Sequence, residues 1–177
     1  MYFNLALSPL DEKQVAVDRT DPQTGTNDIW LFDLSRNGVS SRFTTDPAGD
    51  SFPLWSPDAK RIVFASYRTG SWSLYEKSAS GGGSEEVILA SVEEKVPDDW
   101  SRDGQFIVFE SFNPKTKWDL LLFRTADKNT SPLLQSDFNE RQAHFSPDGK
   151  YVAYTSDKSG SAAVYVQTFP FSGSEWR

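Results

Sequence analysis

The stretch Leu54-Trp55-Ser56-Pro57-Asp58-Ala59 is one copy of a motif that occurs four times in this chain of 177 residues. The other copies are Ala6-Leu7-Ser8-Pro9-Leu10-Asp11, Asp99-Trp100-Ser101-Arg102-Asp103-Gly104 and His144-Phe145-Ser146-Pro147-Asp148-Gly149. Each copy precedes a short run of β-forming residues, and the motif serines are 48, 45 and 45 residues apart. A period in this range, with several short strands in each unit, is typical of propeller blades.

The second repeat predicts four strands, which we call A to D: residues 52–55, 61–66, 72–77 and 86–89. Gly104 and Gly149 follow the motif aspartate where a positive φ is easiest, whereas Ala59 and Leu10 predict looser turns or turns of another type. No segment shows a sustained helical period, so we expect almost no helix. The sequence therefore predicts an all-β propeller of four-stranded antiparallel blades, about four in number, in one domain over 1–177. The blades are expected at 1–47, 48–91, 92–137 and 138–177.

Composition excludes several classes of function. The formal net charge is −7 and the pI is near 4.7, which disfavours binding to a phosphate backbone or an anionic membrane. There are no cysteines, so disulfides and thiolate metal sites are ruled out. No apolar run approaches the roughly 20 residues that span a bilayer, and residues 1–4 have no signal-peptide character. We therefore expect neither nucleic acid as a partner nor insertion into a membrane.

The Ser-x-Asp turn, with an aromatic residue before it and a hydrophobic strand after it, resembles the WD40-like Pro-Asp repeat of TolB-like propellers. That repeat also occurs in propellers of prolyl-oligopeptidase-type peptidases and of some bacterial membrane serine/threonine kinases. The segments 117–120, 139–142 and 165–170 are most similar to the kinase propellers. The resemblance implies a location outside the cytoplasm, in the periplasm. It also implies that Asp58, Asp103 and Asp148 hold the A–B hairpins, while Trp55, Trp100 and Phe145 pack between blades.

TolB-like propellers usually have six or more blades, and blades need neighbours on both faces. The chain begins at a strand A, and residues 174–177 lie where the last strand D should begin. Three expectations remain open for the four blades. They form an arc of a longer propeller, a ring completed by a second copy in a homodimer, or a small closed ring.

The sequence contains no catalytic constellation. His144 is the only histidine, which excludes metal sites built on several imidazoles. The segment 70–74 lacks the second glycine of a nucleophile elbow. The glycines Gly81-Gly82-Gly83 precede an acidic strand, whereas a phosphate-binding P-loop continues with Lys-Ser or Lys-Thr at the start of a helix. We therefore predict a protein that is not an enzyme and that has no cofactor, no metal site and no catalytic residues.

Charged residues in the D–A connections and at the start of strand A predict a binding rim. The predicted rim consists of Asp50, Glu93, Glu94, Asp98, Asp99, Glu140 and Arg141, with Lys95 among them. Such a rim suits a non-catalytic scaffold or sensor that binds a protein or peptide. One alternative is an accessory propeller of a multidomain peptidase or kinase. The other is a carbohydrate-binding propeller that uses Trp30, Trp72 and Trp118.

Overall fold

The computed structural model describes all 177 residues and contains sixteen strands. They are β1 (Tyr2–Leu7), β2 (Gln14–Thr20), β3 (Asn27–Asp33), β4 (Val39–Arg42), β5 (Asp50–Trp55), β6 (Arg61–Ser66), β7 (Ser73–Ser78), β8 (Glu86–Leu89), β9 (Lys95–Trp100), β10 (Phe106–Asn113), β11 (Lys117–Arg124), β12 (Thr130–Leu134), β13 (Glu140–Phe145), β14 (Tyr151–Ser156), β15 (Ala163–Thr168) and β16 (Glu175–Trp176). The one helical segment is a single 3₁₀ turn, Leu34–Arg36.

The strands form four antiparallel sheets of four strands each, and within each sheet the strands follow chain order. This confirms the prediction of an all-β chain built from four-stranded antiparallel blades with almost no helix. The chain divides into two compact units, residues 1–92 and 93–177. The first unit contains the sheets β1–β4 and β5–β8, and the second contains β9–β12 and β13–β16.

Strand A of every blade contains a register shift. In β5, Ser51 pairs with Ala65 and Leu54 pairs with Val63, so two residues of β5 lie between these pairs. Phe52 lies in this bulge with φ 58°, and Gln142 has φ 56° at the same place in β13. Asp50 and Ser51 pair before the bulge, and β5 therefore begins two residues earlier than the predicted strand at 52–55.

The prediction for the turn at Ala59 is wrong. Ala59 adopts φ 54°, close to the 77° of Gly104, and its N–H donates to the Ser56 carbonyl at 2.8 Å, as Gly104 does to Ser101. The turn is therefore of the same type, although a side chain is strained in this region. The prediction for the first turn is confirmed, because there the loop is longer and Glu12 takes the positive φ.

Each unit has its own apolar core between its two sheets. In the first unit, Ala16, Ile29 and Leu31 of one blade pack with Trp55, Ile62 and Phe64 of the next. In the second unit, Val108, Leu120 and Leu122 pack with Ala143, Val152 and Tyr154. None of the helical structure in the chain is long or apolar enough to cross a membrane.

Candidate functional site

The motif turns are held by their own side chains. The Ser56 hydroxyl donates to Asp58 Oδ1 at 2.6 Å, and the N–H of Lys60 donates to the same oxygen at 3.1 Å. Asp103 and Asp148 make the equivalent bonds in their turns. Hydrogen bonds from the motif serine and from a backbone N–H lower the pKa of each of these aspartates. In all three turns the aspartate carboxylate therefore closes the hairpin.

The aromatic residues of the motif are the last residues of strands β5, β9 and β13. Trp55 is buried, and its indole N–H donates to the Ala6 carbonyl of the preceding blade at 3.0 Å. Trp100 is buried, and its indole N–H donates to the Gly104 carbonyl of its own turn at 3.2 Å. Phe145 is half-buried and packs edge-to-face against Phe169 at 5.1 Å between ring centroids.

Two buried carboxylates that the sequence analysis missed join neighbouring blades. Asp18 of β2 accepts from the N–H groups of Phe3 and Asn4 in its own blade and of Phe52 in the next. Glu110 of β10 accepts from the Gln142 N–H at 2.9 Å and from Arg141 Nε at 2.8 Å. Both acids occupy the fifth position of strand B, directly after a run of apolar residues. The sequence signal that could have identified these two residues was an acidic side chain at a strand position expected to lie in the core.

Asp50 of the predicted rim is fully buried. Arg68 binds it at 3.1 Å, binds Glu85 at 2.7 Å and lies over the ring of Tyr75. Burial raises the pKa of Asp50, and the Ser66 hydroxyl and the Arg68 guanidinium oppose this effect. Asp50 therefore belongs to a structural ion-pair network of the first unit.

Asp98 and Asp99 of the predicted rim hold strand β13 in place. Asp98 accepts from the Ala143 N–H at 2.9 Å and Asp99 from the Phe145 N–H at 2.8 Å. Burial, followed by the nearby Glu110 carboxylate, raises the pKa of Asp98 well above its usual range. His144 is exposed beside Asp99, whose hydrogen bond raises the pKa of the imidazole.

Glu140 is also buried, with one oxygen bound to the Ser136 hydroxyl and Oε2 without a hydrogen-bond partner. Glu93 and Glu94 are exposed, and Lys95 is buried and bonds to Glu93 and to the Ser111 hydroxyl. Asp50 and Glu140 are therefore buried within their units, whereas Glu93 and Glu94 face the solvent. No group of three or more acidic, His or Cys side chains is arranged to hold a metal.

The candidate tryptophans for glycan stacking have neighbours on their rings. The Arg19 guanidinium lies 4.8 Å from the centroid of Trp30, and the Arg141 guanidinium lies 4.3 Å from that of Trp118. Trp72 contacts Phe52 and Tyr67 edge-to-face. A sugar ring stacks on an open aromatic face, and Arg19 and Arg141 each cover a face of their ring.

An open groove of about 480 Å³ lies between the two blades of the second unit. Its lining residues come from the start of β11, the start of β13, the end of β14 and the turn after it: Trp118, Asn139, Arg141, Gln142, Thr155, Asp157 and Ala162. Of these residues, only Arg141 belongs to the predicted rim, and only Trp118 is among the tryptophans predicted as glycan contacts. We call this site the Arg141 groove.

No family model matches the chain. Among solved structures, TolB from Acinetobacter baumannii has a TM-score of 0.83 at 20% identity, over 99% of this chain and 42% of that one. A putative TolB from Agrobacterium tumefaciens has a TM-score of 0.83 at 20% identity, over 98% of this chain and 63% of that one. A structure from a study of two prolyl endopeptidases has a TM-score of 0.72 at 16% identity, over 99% of this chain and 28% of that one.

The chain therefore has a TolB-like β-propeller fold, as the repeat predicted. It spans less than two thirds of the length of each of these proteins.

Proposed function

We propose that this chain is a non-catalytic propeller segment that binds a protein or a peptide. The observation that carries the proposal is the Arg141 groove, an open and partly charged groove on a rigid frame. The frame is rigid because the buried Glu110 carboxylate ties the two blades beside the groove together through the backbone amide of Gln142. A rigid scaffold with variable connections is a common way to build a recognition surface.

The non-catalytic part of the proposal is supported by the contacts of three acids of the predicted rim. Asp50 is neutralised by Arg68, and Asp98 and Asp99 hold backbone amides of β13. A general acid or base must reach a substrate proton, and these groups are engaged with the protein itself. Glu93 and Glu94 of the predicted rim are exposed, and we keep them as candidate contacts to the partner.

The test is selection of binders from a random peptide library on the purified chain, followed by calorimetric titration of the recovered peptides. We expect saturable binding that scrambled versions lack, with hydrogen-exchange protection at 135–142 and 157–162. The bound peptides should be recovered intact by mass spectrometry after prolonged incubation. Peptides that bind no better than their scrambled versions would contradict the binding role, and cleaved peptides would contradict the non-catalytic role.

The accessory role in a larger enzyme is the second candidate, favoured by the likeness to the prolyl endopeptidase structure. In that case the propeller would position substrate for a catalytic domain elsewhere. From the TolB-like and kinase-like resemblance we also propose a location outside the cytoplasm.

We further propose that two apolar faces mediate self-association. Leu5 of β1 is 74% exposed, although Pro53 at the same position is buried in β5, a strand that packs on β1 and β2 of the preceding blade. Val164 of β15 is 62% exposed, although Ile29 and Leu120 at the same position are fully buried against the following blade. The two faces are the two sides of one blade–blade interface, so the proposed occupant of each is the other face of a second copy.

A further inference from the structure

The Arg141 groove exists because one repeat lacks the aromatic side chains that fill the same place in another. Ser56 and Ser146 are 90 residues apart, and strands β5–β7 align with β13–β15 at this offset without a gap. The offset places Gln142 at the position of Phe52, Asp157 at that of Tyr67 and Ala162 at that of Trp72. The two units can therefore be compared residue by residue.

In the first unit the three aromatic rings pack together. Trp72 lies edge-to-face against Tyr67 at 5.6 Å and against Phe52 at 6.4 Å between ring centroids. Because Gln142, Asp157 and Ala162 present smaller or polar side chains, the second unit has an open groove there. The backbone bulge is present at this place in both units, where Phe52 and Gln142 share a positive φ.

Arg141 forms one wall of the groove with its charged end partly free. Glu110 accepts from Nε at 2.8 Å and lies 2.7 Å from Nη2, and the Trp118 ring supports one face of the guanidinium. The Arg141 side chain is nevertheless 44% exposed, and Nη1 has no acceptor in the chain. A guanidinium fixed on two sides presents its remaining edge to a planar anion in a defined orientation.

The side-chain amides of Gln142 and Asn139 each have one polar group without a partner in the chain. The Gln142 Oε1 accepts from the Thr155 hydroxyl at 3.2 Å, which leaves its NH₂ free to donate. Asn139 donates to Asp157 through its backbone N–H at 2.9 Å and through Nδ2 at 2.7 Å, which leaves Oδ1 free to accept. The Asn139 bonds lower the pKa of Asp157, so a carboxylate stands on the far wall of the groove.

We infer that the Arg141 groove binds a peptide carboxylate, either an acidic side chain or a free C-terminus. Arg141 and Gln142 donate to the carboxylate, and Asn139 accepts a backbone N–H of the peptide. The Asp157 carboxylate repels a dianionic phosphate more strongly than a single carboxylate. Arg141 covers a face of Trp118 that a sugar would need. This inference rests on the proposed function and names the chemistry of the ligand.

The experiment is a titration followed by the amide, Trp Nε1–H and Arg Nε–H signals of the ¹⁵N-labelled chain. The probes are N-acetyl-Gly-Gly-Glu-amide, N-acetyl-Gly-Gly-Gly with a free C-terminus, and N-acetyl-Gly-Gly-Gln-amide. We expect saturable shifts at Trp118, Arg141 and Gln142 with at least one carboxylate probe, and affinity at least about tenfold lower for the neutral glutamine probe. The first two probes distinguish a side chain from a C-terminus.

Three variants test the location of the site. Asp157→Tyr with Ala162→Trp transfers the filling residues of the first unit, and we expect it to abolish the shifts. Ser161→Trp adds the same ring at an exposed neighbouring position outside the groove and should bind normally. Arg141→Lys retains the charge beside Glu110 but loses the planar guanidinium and its second set of N–H donors. We expect it to weaken binding about fivefold or more.

Three results would overturn the inference. They are equal affinity for the glutamine probe, undiminished binding by the folded filled variant or by Arg141→Lys, and no shift with any probe up to about 10 mM. If library-selected peptides still bind the filled variant, the proposed binding function stands and the assignment to this groove fails.

Discussion

The Glu110 carboxylate, 2% exposed, accepts the backbone N–H of Gln142 in the neighbouring sheet at 2.9 Å. Asp18 makes the equivalent bond to the N–H of Phe52 at 3.3 Å. In both cases the donor is a bulge residue with a positive φ. A bulge leaves one residue outside the ladder, and a buried amide without an acceptor is costly. The carboxylate of one blade therefore stabilises the bulge of the next.

Replacing Asp18 tests this role. Asp18 accepts four hydrogen bonds, including 2.6 Å from the Asn4 N–H and 2.7 Å from Asn4 Nδ2. We expect Asp18→Ala to lower the free energy of unfolding by about 3 kcal/mol, because it leaves amides unsatisfied. Asp127→Ala, which removes an exposed turn carboxylate, should cost less than about 1 kcal/mol. Urea unfolding measures both, and equal losses would refute a special role for Asp18.

Ala59 offers a stabilising substitution. Its φ of 54° is strained for a side chain, and the equivalent residues in two other turns are glycines. We expect Ala59→Gly to raise the free energy of unfolding by about 0.5 to 1 kcal/mol. Ala65→Gly, in the buried strand β6, should destabilise instead. A loss of thermal stability in Ala59→Gly would show that the methyl group contributes more by packing than it costs in strain.

Gln167 is fully buried, and neither its Nε2 nor its Oε1 has a hydrogen-bond partner. Lys77 at the same position of the second blade reaches the Phe43 carbonyl at 2.7 Å. We expect Gln167→Met to stabilise the chain by about 1 to 2 kcal/mol, because it removes two buried polar atoms at similar volume. Gln135→Met should have the opposite sign, since Gln135 donates to Asp119. Denaturant titration of both variants gives the comparison.

Asp98 predicts a specific dependence of stability on pH. Its pKa is raised in the folded state, so the folded chain binds more protons than the unfolded chain between the two pKa values. Its contribution is therefore fully present below the unfolded pKa of about 3.9 and is lost as the pH rises through the folded pKa. We expect Asp98→Asn to remove this decline, which begins as the pH rises above the unfolded pKa.

The turn aspartates behave in the opposite way. The pKa values of Asp58, Asp103 and Asp148 are lowered, so their contribution is lost as the pH falls below about 3.8. Asp148→Asn should leave the slope near neutral pH unchanged, which makes it the control for Asp98→Asn. The measurement is the unfolding free energy of both variants as a function of pH. If Asp98→Asn has the same slope of unfolding free energy against pH as the unmodified chain, the prediction is wrong.

Self-association through Leu5 and Val164 is tested by mixing. We expect the unmodified chain to associate, and Leu5→Glu and Val164→Glu to be monomers when alone, because each blocks one of the two faces. An equimolar mixture should form a one-to-one complex through the two intact faces. Light scattering coupled to size exclusion measures the mass. A monomeric unmodified chain, or a mixture that stays monomeric, would exclude this interface.

Some features of the site were accessible from the sequence, and others were not. The Ser-x-Asp turn and its strands are local, so residues within about ten positions determine them. The sequence also placed Asp98, Asp99 and Arg141 near the start of strand A. It did not reveal their partners, because Ala143 and Phe145 are more than forty residues from the acids that bind their amides. The predicted acidic rim was judged by position alone, and burial decided the state of Asp50 and Glu140.

The sequence by itself determined the repeat, the blades and the turns, because period, alternation and turn chemistry act between near neighbours. Only the tertiary structure decided which charges remain available. Arg68 neutralises Asp50 across its own blade, whereas Arg141 keeps one edge of its guanidinium free beside Glu110. It also decided that Gln142, Asp157 and Ala162 open a groove where three aromatic rings pack in the other unit. Burial and packing depend on residues far apart in the chain, and no local pattern records them.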